Sequence, residues 1–88
     1  MNPQAIFDII VRHTRDIRPD LTAHTFRFDD ALRDLGANSI DRAEIVMLTL
    51  ETLSLQVPLV ELAGAGNVGE LAERLAGFVA ARKAGELA

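Results

Sequence analysis

Leu35-Gly36-Ala37-Asn38-Ser39-Ile40-Asp41 leads into Arg42-Ala43-Glu44-Ile45-Val46-Met47-Leu48-Thr49-Leu50-Glu51-Thr52-Leu53. A glycine closes one turn, and an apolar run without Gly or Pro comes after it. The spacing predicts a helix from Ser39 to about Leu53. Val46, Leu50 and Leu53 form one row on it, with Ala43 and Met47 alongside. Asp41, Glu44, Leu48, Glu51 and Leu55 form a second row. A helix that is apolar around most of its circumference is either deeply buried or buries one side and offers the other to a partner. The acids in the second row favour the partner.

Working outward, Asn2 followed by Pro3 is a helix start, because proline at the first helical position lacks an N–H that would be unpaired there anyway. Ile6, Ile10 and Ile17, with Phe7 and Thr14, recur on one side of that first helix, and Pro19 disfavours helix from Arg18 onward. Residues 18–38 then form a long connection, a length uncommon in a compact domain unless it packs or works. Phe26 and Phe28 are its expected anchors, and Asp29 or Asp30 is the expected cap of a short turn through Leu32 and Leu35. Pro58 opens a short helix with Leu59, Val60 and Leu62. Asn67 and Glu70 have the spacing of a capping box ahead of a last helix with Leu71, Leu75, Phe78 and Val79 inside. The expected fold is all-α, a small bundle of three main helices plus one short one. One domain spans 1–88, with about 83–88 as a frayed tail.

Composition narrows the function. The chain has 88 residues, 49% hydrophobic and 25% charged, which suits one globular domain. Its net charge is −4, so a nucleic-acid backbone or an anionic membrane is not the expected partner. Between Asp29 and Glu51 six acids stand against two arginines, while the rest of the chain is balanced. The whole excess lies there, and such a surface steers basic partners. With no cysteine, thiolate zinc sites, disulfides and cysteine nucleophiles are excluded. The N-terminus lacks the pattern of a signal peptide and no stretch is apolar enough to span a bilayer, so a cytoplasmic location is expected. Nothing in the chain requires association, so a monomer is the default.

Ser39 is the candidate for chemistry. Its hydroxyl should stand near the unpaired N–H groups of a helix start, where a negatively charged phosphoester is favoured. Position alone leaves a second use open, since Asn38 or Ser39 could simply be the N-cap. A serine hydrolase is disfavoured because nothing assembles a base and an orienting acid around Ser39. His13 and His24 stand apart in sequence and are expected as surface or packing residues.

The stretch Leu35-Gly36-Ala37-Asn38-Ser39-Ile40-Asp41 resembles the attachment motif of acyl carrier proteins, and the helical plan is similar over nearly the whole chain. The resemblance implies a non-catalytic carrier. Ser39 would hold a covalent phosphopantetheine, delivered from coenzyme A by a phosphopantetheinyl transferase, whose thiol carries acyl groups as thioesters. Residues 38–47 and 60–72 resemble the free-standing donor carriers of polyketide β-branching cassettes, which present acetyl to a hydroxymethylglutaryl (HMG) synthase-like enzyme. That narrower likeness adds an acyltransferase and a decarboxylating ketosynthase-like enzyme as partners. Asp41, Glu44, Met47, Leu48 and Glu51 are the expected partner-binding residues, the acids for steering and Met and Leu for apolar contact. Position 38 is Asn where most carriers have Asp, so the cap is kept and a charge beside the attachment point is lost. A peptidyl, fatty-acid or general polyketide carrier would share Ser39, whereas an unmodified helical interaction module would have no need of 36–41.

Overall fold

The computed structural model describes residues 1–87. Three α-helices, α1 (Pro3–Ile17), α2 (Ser39–Leu53) and α3 (Val68–Leu87), are joined by connections that each hold one 3₁₀ turn, Pro19–Leu21 and Leu59–Glu61. Helix α1 packs against both α2 and α3. Among the described residues there is no strand, and no helix is long and apolar enough to cross a membrane. The expected all-α bundle is what forms, although the short helix at Leu59 is a 3₁₀ turn and a second such turn begins at Pro19.

The first cap is as expected: the Asn2 side chain accepts the Ala5 N–H at 2.8 Å. Ile6, Phe7, Ile10, Val11 and Thr14 then face inward. The fully buried Thr14 hydroxyl donates to the Ile10 carbonyl at 2.7 Å, which removes the penalty of an unpaired polar group.

Helix α2 buries Leu50 and Leu53 of the expected row but is rotated so that Ile45 and Thr49 join them in place of Val46 and Met47. Ile45, Thr49, Leu50 and Leu53 are buried, while Val46 is half-buried and Met47 is 55% exposed. Apolar side chains nearly all round leave the rotation only weakly set by pattern, and packing on α1 chooses it. The buried Thr49 hydroxyl bonds the Ile45 carbonyl one turn back, at 2.8 Å. The helix ends on Ser54 in the left-handed region, with the Leu55 N–H on the Leu50 carbonyl at 2.9 Å. From α3, Arg82 donates to the Leu53 and Ser54 carbonyls, 2.8 Å each, placing positive charge at the negative end of α2.

The long connection 18–38 both packs and caps. Its Asp30 and Phe28 carbonyls accept the Val68 and Gly69 N–H groups at 2.8 Å each, and the Asn67 side chain accepts that of Glu70 at 2.8 Å. The first three donors of α3, which no helical carbonyl can reach, are thereby all paired. The Glu70 carboxylate reaches the Gly66 N–H at 2.7 Å, one residue further back than the expected capping box. Neither Asp29 nor Asp30 caps the turn through Leu32. The Asp30 carboxylate faces backward to the Arg27 N–H (2.8 Å) and the His24 ring (3.0 Å), and Asp29 lies 3.7 Å from Arg27. Phe26 packs against the core as expected, whereas Phe28 is 40% exposed and stacks its ring 4.6 Å from that of Phe7.

Helix α3 continues to Leu87, through the region expected to fray from about residue 83. Ala80, Ala81, Lys83 and Ala84 are strong helix formers and no proline intervenes. Residue 88 lies outside the described residues.

Candidate functional site

The site begins with a turn that Gly36 makes possible. Residues 32–36 form successive turns, and Gly36 has φ +96°, a region in which a side chain is strained. Ala37, 2% exposed, plugs into the core and anchors the start of α2. Arg42 from α2 donates to the Ala37 carbonyl at 2.7 Å.

Asn38 is the N-cap of α2. Its side chain accepts the Asp41 N–H at 2.8 Å, and the Asp41 carboxylate accepts the Asn38 N–H at 3.3 Å, a reciprocal capping box. That arrangement decides between the two uses of Ser39. Capping is performed by its neighbours, so Ser39, exposed in the first turn, is not needed for it. Its side chain stands at the positive end of α2, where the first-turn N–H groups lack helical partners. An exposed hydroxyl there fits a phosphodiester: the oxygen is reachable and the local field favours the negative charge.

The other expected site residues separate into two groups. Glu44, Met47 and Glu51 are exposed and Leu48 is half-buried, at spacings that share one side of α2. Asp41 behaves differently, because its carboxylate is engaged in the cap and lies 3.5 Å from the Arg18 guanidinium, with 22% of its side chain exposed. The acidic excess read from sequence is therefore thinner on this surface than its count, since Asp30 and Asp41 are both tied into local structure.

Three exposed apolar residues extend the surface beyond expectation: Ile40 at 75%, Val60 at 78% and Leu59 at 41%. The sequence places Leu59, Val60 and Leu62 in one short helix, and the tight 3₁₀ turn that forms leaves only Leu62 of that group buried. Ile40 directly follows Ser39, and that adjacency was the available signal. The turn carrying Leu59 and Val60 packs against α2. Beside it a cavity of about 420 Å³ opens between α2, this turn and the start of α3. Arg42 and Ala43, one turn past Ser39, form part of its wall, with Val46, Leu62 and Leu71 at its apolar side.

Neither histidine joins the site. His13 pairs with the Thr52 hydroxyl at 2.8 Å and His24 with Asp30. Among the described residues no group of three or more His, Cys, Asp or Glu could hold a metal ion.

Known proteins resemble the chain over most of its length. The family described as phosphopantetheine attachment site matches residues 20–75. The polyketide biosynthesis acyl-carrier-protein AcpK of Bacillus subtilis (strain 168) is 47% identical over 75 residues, covering 85% of this chain and 92% of that protein. Among solved structures, a chain from the crystal structure of the curacin biosynthetic pathway HMG synthase in complex with acetyl donor-ACP superposes with a TM-score of 0.79. It is 46% identical, over 82% of this chain and 92% of that one.

Proposed function

Since the chain belongs to the phosphopantetheine-attachment family of acyl carrier proteins, we propose that Ser39 is its attachment residue and that the loaded protein donates acetyl to an HMG-synthase-like enzyme in polyketide biosynthesis. Proteins of this family are carriers rather than catalysts. The covalent phosphopantetheine supplies a long arm with a terminal thiol for thioester carriage, chemistry that a chain without cysteine does not possess.

The observation that carries the reading is the exposed Ser39 in the first turn of α2, with capping assigned to Asn38 and Asp41. Ser39 offers the oxygen, and the start of α2 stabilises the charge that arrives with the group. Glu44 and Glu51 steer a basic partner surface, while Ile40, Met47, Leu48 and Val60 supply the apolar contact that holds it. The donor role is supported by the likeness to a chain from an HMG synthase complex with acetyl donor-ACP, at 46% identity. The place in polyketide assembly is supported by the likeness to AcpK.

Incubation with coenzyme A, Mg²⁺ and a broad-specificity phosphopantetheinyl transferase should add one phosphopantetheine mass, absent in Ser39→Ala. No addition under conditions that modify a control carrier overturns the assignment. The acetylated protein should then be consumed by an HMG synthase-like enzyme faster than other acetylated carriers. Equal use of all carriers would leave attachment intact and remove the donor role.

A further inference from the structure

Arg18 stands outside the attachment motif, at the C-cap of α1, yet its guanidinium reaches both sides of Ser39. Nε and Nη2 grip the Asp20 carboxylate at 2.9 and 3.0 Å in a two-point pair. Nη1 donates to the Gly36 carbonyl and lies 3.5 Å from the Asp41 carboxylate. Gly36 is three residues before Ser39 and Asp41 two residues after it, so one side chain brackets the serine from a different helix.

The pieces are arranged for rigidity. A planar guanidinium with several fixed donors holds such a set in one geometry, which a single ammonium does not. Asp20 orients the fork from behind, and the Arg18 side chain is 28% exposed. A Cβ at Gly36 would lie 3.3 Å from Arg18 Nη2, so the turn and the guanidinium are in close approach. Arg42 holds the next carbonyl, that of Ala37, from within α2. That second contact is local to the helix, whereas Arg18 provides the tertiary one.

We infer that Arg18 is a positioning residue for modification: it ties segment 36–41 to the end of α1 and so keeps Ser39 in the conformation a phosphopantetheinyl transferase accepts. The inference rests on the assignment of Ser39 as attachment residue. Without the bracket, the segment samples other conformations, and apparent affinity falls by the fraction that remains competent. The loss is in recognition of the carrier and not in the transfer step.

The test compares wild type, Arg18→Ala and Arg18→Lys as full chains with coenzyme A, Mg²⁺ and a transferase, at a temperature where circular dichroism shows each folded. The KM for the carrier should rise about three- to tenfold in Arg18→Ala, matching a competent fraction of roughly a third to a tenth. Turnover and the KM for coenzyme A should stay near wild type, and Arg18→Lys should recover part of the loss. Amide hydrogen exchange should quicken at Asn38 and Asp41, with the α1 and α3 core amides unchanged. An unaltered carrier KM overturns the inference. So does a rise confined to the KM for coenzyme A, which would place Arg18 in direct contact with that substrate. Should Arg18→Ala not fold, Arg18→Lys and Arg18→Gln decide by the same two readouts. Unmodified wild type would instead refute the assignment of Ser39.

Discussion

The Gly69 N–H donates to the Phe28 carbonyl at 2.8 Å, and a side chain at Gly69 would stand 2.7 Å from that same oxygen. The long connection is thereby pressed onto the first turn of α3 at a distance only glycine permits. Because the Asp30 carbonyl caps Val68 one residue earlier, the contact sets where the segment leading to Ser39 begins its turn.

Gly69→Ala should therefore destabilise the fold, although alanine is the better helix former. Overpacking against backbone costs about 1–3 kcal/mol, against a propensity gain of about 1 kcal/mol. Urea unfolding measures the balance. A higher midpoint would show that the connection yields freely.

Asn38→Ala should lower stability by about 1 kcal/mol, the usual worth of an N-cap. Ser39→Ala, at an exposed position outside the cap, should change it by less than about 0.5 kcal/mol. Asn38→Asp should keep the cap. Equal losses for Asn38→Ala and Ser39→Ala would mean that the serine shares the capping role.

Acid should weaken the connection through Asp30. Its carboxyl is held below the usual carboxylate range, first by the hydrogen bond from the His24 ring and then by the Arg27 N–H. A lowered folded-state pKa contributes stability that is complete above the unfolded value of about 3.9 and is lost as pH falls through the folded one. Urea midpoints from about pH 6 down to about pH 2 should fall less steeply for Asp30→Asn than for wild type. Parallel curves would assign the acid limb to other carboxylates.

Glu44→Lys and Glu51→Lys should slow acetyl transfer to an HMG synthase-like enzyme, with the deficit shrinking as salt screens the interaction. Both residues are exposed, so the stability change should stay within about 0.5 kcal/mol. Asp41→Ala should act differently, lowering stability because it removes the side-chain acceptor that closes the capping box. Transfer at the wild-type rate in both Lys variants would move the partner surface elsewhere.

Much of this was legible in the chain because the signals are local. Asn2 before Pro3, and Asn38 at the head of an unbroken apolar run, mark helix starts through interactions spanning three or four residues. The start at Asn38, with the Gly-free and Pro-free run that follows it, frames α2. The segment at Leu59 and Val60 was legible as a short turn of helix after Pro58, but its exposure was not, because a 3₁₀ turn has too little inner surface to bury each of its residues. Asp30 was misread because its partners lie behind it in the chain, at Arg27 and His24, and not in the turn ahead.

Local chemistry in the sequence determined the helices, the caps and the serine that opens α2, since each depends on neighbours within one turn. The tertiary structure alone decided the final rotation of α2, with Ile45 and Thr49 inward beside Leu50 and Leu53, because a helix apolar on nearly every side carries only a weak rotational preference until α1 packs against it. It also decided that Arg18, 21 positions before Ser39, would bracket that serine. Such a contact depends on how two helices meet in space, which local spacing does not encode.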